Sequence, residues 1–267
     1  RRPLLWLDLI SKNRATISYS PSFGYDLCAR RGDGAREGLH LSQWRIAGCG
    51  GDMVRPAPLL GFAERYASAG FSDKAFVASY GMAEATLALT MAPLDQGLRF
   101  DTVDVDRMER DGQVVAGEGA RTRAFVRCGP VLPAHELEVR DETGAPVPER
   151  RVGQIFVRGP SLMKGYFGEA EASARVLGAD GWLDTGDLGY LNDGEIVPTG
   201  RAKDLILLNG RNVWPQDLEW SAESEVERLR SGDVAAFSID QDAGETLVVL
   251  VQARSSDPAV RQALVED

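Results

Sequence analysis

The sequence predicts an α/β protein in three parts: a parallel α/β region, a β-rich region after it, and a small α+β domain at the end. Three observations carry this. Strand-like and helix-like segments alternate over the first third, which implies parallel strands joined by right-handed crossovers. In "AHELEVRDETGAPVPERRVGQIFVRGPSLMKGYF" apolar and polar residues alternate around a turn, the pattern of antiparallel strands. Beyond about Ala202 a strongly charged helix precedes two short apolar strands.

Taken in order, "RRPLLWLDLISKNRATI" has the apolar spacing of an amphipathic helix. "ATISYSP" is a β-branched run leading into "SPSFGYDL", read as an aromatic loop. "QWRIAGCGGDMV" is a buried strand ending in a Gly-rich turn. A helix follows over "RPAPLLGFAERYASAG", with Pro near its first turn and Gly at its end. "KAFVASYGMAEATLALT" repeats strand, turn and helix. From Leu98 to Arg123 the chain is polar with few core candidates, which suits a loop or a short hairpin insertion. Near the end, "QDLEWSAESEVERLR" is a charged helix, and "DVAAFSID" and "TLVVLVQA" are strands about the turn "QDAGE". The boundary of the last domain is expected at "GRAKD", giving domains 1–201 and 202–267. Both ends interrupt a helical pattern, since "DPAVRQALVED" opens another helix, so the 267 residues read as a piece of something longer.

Composition narrows the chemistry. With 30 Lys plus Arg against 40 Asp plus Glu, the net charge of −10 argues against a sequence-independent nucleic-acid binder. No apolar run approaches the roughly 18 residues that span a bilayer and no signal segment opens the chain, so no integral membrane association is expected and the cytoplasm is the default location. Cys28, Cys49 and Cys128 are scattered and odd in number, suggesting reduced core thiols. With only His40 and His135, and no HExxH or GxSxG, metal-assisted or triad hydrolysis has little to build on.

Three segments are candidates for binding. After "QWRIAGCGG", the glycines permit close approach of backbone amides to a nucleotide, or serve only a tight turn; Met53 stands where a dinucleotide fingerprint needs its third glycine. In "SYGMAEA", Tyr80 at a strand end can stack on a base, and Glu84 either favours a helix dipole or holds a Mg²⁺ completed by phosphate oxygens. In "GWLDTGDLGY", Asp187 either closes its own turn or accepts hydrogen bonds from both hydroxyls of a ribose, with Arg201 a further cationic donor.

"SYGMAEATL", "GWLDTGDLGYLNDGEIVPTGRAKDLILLNGRNVWPQDLE" and the region from "CGPVLPAHELEVRD" to "VGQIFVRGPSLMKGYF" resemble the adenylate-forming superfamily of acyl-CoA synthetases, peptide-synthetase adenylation domains and luciferases. Within it, "RPLLWLDLISKNRATISYSPSFGYDLCARR", "AGCGGDM" and "NGRNVWPQDLE" are most similar to the fatty acyl-AMP ligases. The resemblance covers essentially the whole chain. It implies the C-terminal part of a large adenylating domain plus an incomplete small domain. The cofactors implied are ATP/AMP and Mg²⁺. The implied partners are a fatty acid and an acyl carrier protein or polyketide synthase carrier domain.

Residue by residue, the resemblance implies that Gly50, Gly51 and Asp52 line the adenine pocket. Tyr80 would stack on the base, with Gly81 and Met82 beside it in the nucleotide site. Glu84 would be the magnesium carboxylate, Asp187 the ribose clamp and Arg201 a second nucleotide contact. Lys203, next to Asp204, falls where the small domain pivots, and Phe23 and Gly24 lie near the acyl pocket. Asp184 is expected to be structural. The implied reaction is attack of a fatty acid carboxylate on the α-phosphorus of ATP, loss of pyrophosphate, and transfer of the acyl group to a thiol. Departures are plain. No Ser/Thr/Gly-rich phosphate loop is present, the family's catalytic lysine is expected after Asp267, and Ala83 replaces a common threonine. These predict that the 267 residues alone form no acyl-adenylate. The resemblance also gives the stretch 98–123 a role in disfavouring CoA as acceptor. The alternatives are an acyl-CoA synthetase and a non-catalytic nucleotide-binding or interaction module.

Overall fold

The computed structural model describes residues 2–262 except 33–36, 118, 120, 209–210, 227–228, 231, 242–243, 253–254, 256 and 258–260. The chain divides into two compact units, one of residues 1–108 with 112–199 and one of residues 109–111 with 200–267.

The first unit opens with α1 (Pro3–Asn13), which begins on a proline and ends where Arg14 turns left-handed at φ 50°. Strand β1 (Ile17–Tyr19), helix α2 (Ser22–Arg31), strand β2 (Ile46–Cys49) and helix α3 (Pro56–Tyr66) follow. Strands β3 (Phe76–Gly81) and β4 (Ala88–Met91) complete a sheet of order β1-β2-β3-β4. The first two pairings are parallel and β3-β4 is antiparallel. An aromatic cluster forms the core. Phe62 of α3 lies edge-on to Tyr25 of α2 at 5.1 Å and to Phe71 at 5.0 Å, and Trp44 and Phe76 close the group. Such pairs add about 0.5–1.5 kcal/mol each beyond the area they bury.

Two expectations are corrected here. "SPSFGYDL" is no loop but the start of α2: Ser22, Tyr25 and Cys28 are buried at a spacing of three, so a helix hides one face where a loop would expose it. Pro21, at φ −61° just before the helix, lacks only an N–H that a helix start leaves unpaired anyway. The helix expected after Tyr80 does not form. Residues Ala83–Ala85 make a single 3₁₀ turn, Thr86 takes φ 68°, and β4 returns beside β3 with Thr90 opposite Tyr80. Leu87 is exposed just before the strand, while Leu89 and Thr90 within β4 are fully buried.

The polar stretch is also more ordered than its composition suggests. Strand β5 (Phe100–Asp104), helix α4 (Val105–Asp111) and strand β6 (Thr122–Val126) make a hairpin with a helix between its strands. Asp104 caps α4 by accepting from the Arg107 N–H at 3.0 Å. Val103, Val105, Met108 and Val114 are buried and give the insertion an inward face, while Phe100 stays exposed. Glu118 and Ala120 lie outside the described residues.

Strands β7 (Glu136–Arg140) and β8 (Gly153–Arg158) are antiparallel around the "DETGAP" turn, as expected. A short helix α5 (Ala170–Val176) precedes the long strand β9 (Leu183–Asn192). With β10 (Glu195–Arg201), joined to β9 through Asp193 and Gly194 at φ 51° and 73°, they form a sheet of order β10-β9-β8-β7. Two positive-φ residues in a two-residue loop are the type I′ geometry that suits a hairpin. "GWLDTGDLGY" is mostly strand: within it only Gly181 and Gly186 take positive φ, and a register shift lies between Gln154 and Phe156 of the partner strand. Tyr190 of β9 donates to Asp101 Oδ2 of β5 at 2.7 Å, which ties the hairpin insertion to this sheet.

In the second unit, strands β11 (Ile206–Leu208) and β12 (Arg211–Val213) pair antiparallel. Helix α6 (Pro215–Glu225) follows, then the antiparallel pair β13 (Val234–Gln241) and β14 (Gly244–Val251). Glu219 of α6 accepts from the Ala236 N–H at 3.0 Å, fixing helix to strand. Most of the helix expected over "DPAVRQALVED" and the centre of the "QDAGE" turn lie outside the described residues.

Candidate functional site

The parallel strands deliver two loops. At the end of β2, a Cβ on Gly50 would stand 2.6 Å from Ser79 Oγ and 2.7 Å from the Ser79 carbonyl, so only glycine lets this loop lie against β3. Gly51 follows at φ 79°, with open space where a side chain would point. Asp52 is exposed and its Oδ1 accepts from the Met53 N–H at 2.8 Å.

At the end of β3, Tyr80 is largely buried, and its hydroxyl donates to Asp187 Oδ2 of β9 at 2.8 Å across 107 residues of sequence. Burial first, then the Asp187 charge, raises the Tyr80 phenol well above its ordinary range, so it remains a neutral donor at physiological pH. Gly81 is obligatory, because a Cβ there would run into the carbonyl of Leu87. Met82 packs half-buried against the core. Glu84 is half-buried in the 3₁₀ turn, its carbonyl accepting from the Met163 N–H at 2.7 Å and its Oε1 from the Tyr166 hydroxyl at 2.8 Å.

Asp187 is held from below. Its N–H donates to Thr185 Oγ1 at 3.1 Å, and that hydroxyl donates to the Ile155 carbonyl at 2.8 Å. Asp184 is structural as expected, accepting from Gln154 Nε2 at 2.7 Å and from the Gly186 N–H at 2.9 Å. The fold therefore bonds Tyr80 to Asp187 and sets Gly50 against Ser79, the residue before Tyr80, with Glu84 four residues beyond Tyr80.

Phe23 and Gly24 lie elsewhere, on the first turn of α2. They line a cavity of about 560 Å³ with Trp6, Tyr19, Leu27 and Arg31 among its walls. Phe23 is 56 % exposed, and a Cβ on Gly24 would meet only the Ser20 side chain. Arg201 ends β10 and Lys203 sits in the Ala202–Asp204 turn; both are exposed and belong to the second unit.

All three cysteines are free and buried. Burial pushes the Cys28 and Cys49 thiols up to about 11 and Cys128 up to about 12, so none supplies a thiolate near neutral pH. Sequence reasoning missed Tyr166 and Thr185. Tyr166 lies 82 residues from the carboxylate it touches, and the only local hint is the glycines around "GYFG". Thr185 is hidden in plain view between two aspartates.

The Tyr80–Asp187 pair and the glycine loop after β2 thus lie at the carboxyl ends of β3 and β2, the end of a parallel sheet where α/β proteins bind ligands. The model of the AMP-binding enzyme family matches residues 1–167, and the chain belongs to that family. It is 64 % identical over its whole length to a Caulobacter vibrioides protein provisionally described as an acyl-CoA synthetase, covering 47 % of that protein. It is 33 % identical to the medium-chain-fatty-acid–[acyl-carrier-protein] ligase JamA of Moorena producens, over 96 % of this chain and 45 % of JamA. A solved chain from a study of fatty acyl-adenylate ligases of E. coli and L. pneumophila superposes with a TM-score of 0.92 at 46 % identity, over 99 % of this chain and 48 % of that one. The α/β fold is thus that of the adenylate-forming enzymes. The chain spans about half the length of the relatives it matches. Among the described residues, no helix is long and apolar enough to cross a membrane.

Proposed function

We propose that this chain forms the nucleotide-binding part of a cytoplasmic ligase that activates a fatty acid as acyl-adenylate and passes the acyl group to a carrier protein. In this reading residues 1–201 belong to the large adenylating domain and 202–267 to the small one. The observation that carries it is the Tyr80–Asp187 hydrogen bond at 2.8 Å, which sets an aromatic ring and a carboxylate side by side at the strand ends.

Each residue then has a physical task. Asp187, held by Thr185, offers carboxylate oxygens to the two ribose hydroxyls, and Tyr80 orients it while presenting a ring to the base. Gly50 and Gly51 leave room for adenine beside the backbone, with Asp52 at the rim and Gly81 and Met82 behind Tyr80. Arg201 adds a cationic contact and Lys203 marks the pivot of the small domain. Phe23 and Gly24 line an aromatic cavity suited to an acyl chain.

The donor set fits a magnesium ion. Glu84 is one hard, half-buried carboxylate on the turn after Tyr80, which suits an ion that keeps water and phosphate oxygens as its other ligands. Bound there, the ion would neutralise charge on the phosphates during pyrophosphate loss. This chain's own contribution is positioning rather than nucleophilic attack, consistent with three thiols held protonated.

Carrier protein as acceptor is supported by the JamA likeness and by the β5–α4–β6 insertion anchored through Tyr190 and Asp101. The Caulobacter relative favours a second reading, with CoA as acceptor. The test offers the full-length protein ATP, Mg²⁺ and a fatty acid together with either CoA or a phosphopantetheinylated carrier protein. The first reading predicts acyl-carrier product with little acyl-CoA, and a gain of acyl-CoA when residues 98–123 are replaced by a short linker. Preferential acyl-CoA formation by the unmodified protein would overturn it.

A further inference from the structure

We propose that Tyr166 is the positioning residue of the cation carboxylate: its hydroxyl fixes one oxygen of Glu84 and turns the other toward the ion. The inference rests on the reading of Glu84 as the magnesium ligand.

The geometry begins with a strap. Residues 159–167 leave β8 and run across the Ala83–Thr86 turn. Ser161 holds His135 Nε2 through its Oγ at 2.8 Å, and its carbonyl accepts from Thr86 Oγ1 at 3.1 Å. The Met163 N–H donates to the Glu84 carbonyl at 2.7 Å. At the far end the Tyr166 N–H donates to Ser173 Oγ at 2.8 Å, on the helix α5. Tyr166 is thus pinned by its backbone before its ring reaches Glu84 Oε1 at 2.8 Å.

A glutamate side chain in a short 3₁₀ turn has three rotatable bonds, and left alone it would sample several orientations of its carboxylate. One hydrogen bond from an anchored phenol removes most of that freedom, while Glu84 Oε2 keeps no protein donor among the described residues. Partners one shell out from a metal act in this way, and removing one typically weakens metal binding about 10–100-fold. Tyr166 is 38 % exposed, so the loss belongs at the lower end.

The test is calorimetric titration of ATP into the full-length protein without fatty acid, once in EDTA and once in Mg²⁺. The ratio of the two dissociation constants is the factor by which the cation tightens ATP. Tyr166→Phe is expected to cut that factor about tenfold while leaving the affinity in EDTA and the melting temperature unchanged. Glu84→Gln, run alongside, is expected to abolish it. If Tyr166→Phe keeps the factor and Glu84→Gln abolishes it, the positioning role is overturned and the reading of Glu84 stands. If Glu84→Gln also keeps it, both are overturned. A larger factor in Tyr166→Phe would make the tyrosine a competitor of the cation and likewise overturn the proposal.

Discussion

Glu195 is nearly buried at the start of β10 and faces two arginines, Arg99 and Arg127, with Arg127 Nε 2.7 Å from its Oε2. Arg127 also donates to the Asn192 carbonyl at 2.8 Å and so spans the β9–β10 turn. Removing one member of such a group leaves uncompensated charge in a poorly solvated place. Glu195→Gln is therefore expected to destabilise the fold by about 3 kcal/mol. A urea titration would show this as a lower midpoint at unchanged slope, and a loss below about 1 kcal/mol would mean that the arginines are adequately solvated without the carboxylate. At this scale the sequence was informative about residues whose neighbours are local. Asp187 stood out through its flanking glycines, and Asp184 could be set apart as structural. Glu195 and Tyr166 did not stand out, because their partners are far away in sequence and an acidic or aromatic residue alone carries no record of that.

Among elements, the outcome turned on whether periodicity or local geometry dominates. The α1, α3 and β7–β8 assignments followed directly from apolar spacing and turn residues, and β2 from its run of small apolar residues, buried on both faces. The turn after Tyr80 did not, because "AEATLALT" is rich in helix formers and only the burial of Leu89 and Thr90 against the sheet draws it into β4. Gly81 records that outcome. Gly81→Ala places a methyl on the Leu87 carbonyl, which cannot move without breaking the β3–β4 return, and is expected to cost about 3 kcal/mol or more. Gly24→Ala meets the Ser20 side chain, whose hydroxyl can rotate away and leave its Cβ at 3.3 Å, and the alanine favours its helix, so it is expected to change stability by less than about 1 kcal/mol. Thermal unfolding of the two variants checks the contrast, and equal losses would contradict it.

For the molecule as a whole, the succession of a parallel α/β part and a β-rich part follows from a sequence whose apolar pattern changes period along the chain. The polar insertion shows the limit of composition: few apolar residues suffice to order 98–123 when Val103, Val105, Met108 and Val114 all point inward and Tyr190 anchors the base. What joins these parts into one functional proposal is the Tyr80–Asp187 contact, since it needs both the parallel sheet and β9 to be in place. The most direct test is fatty-acid-dependent exchange of pyrophosphate into ATP by the full-length protein and by its Asp187→Ala variant. Loss of two hydrogen bonds to a carboxylate is worth about 3 kcal/mol, or about a hundredfold in rate. The account predicts exchange that requires the fatty acid and falls by about that factor in Asp187→Ala. Exchange that ignores the fatty acid, or that survives the substitution undiminished, would contradict it.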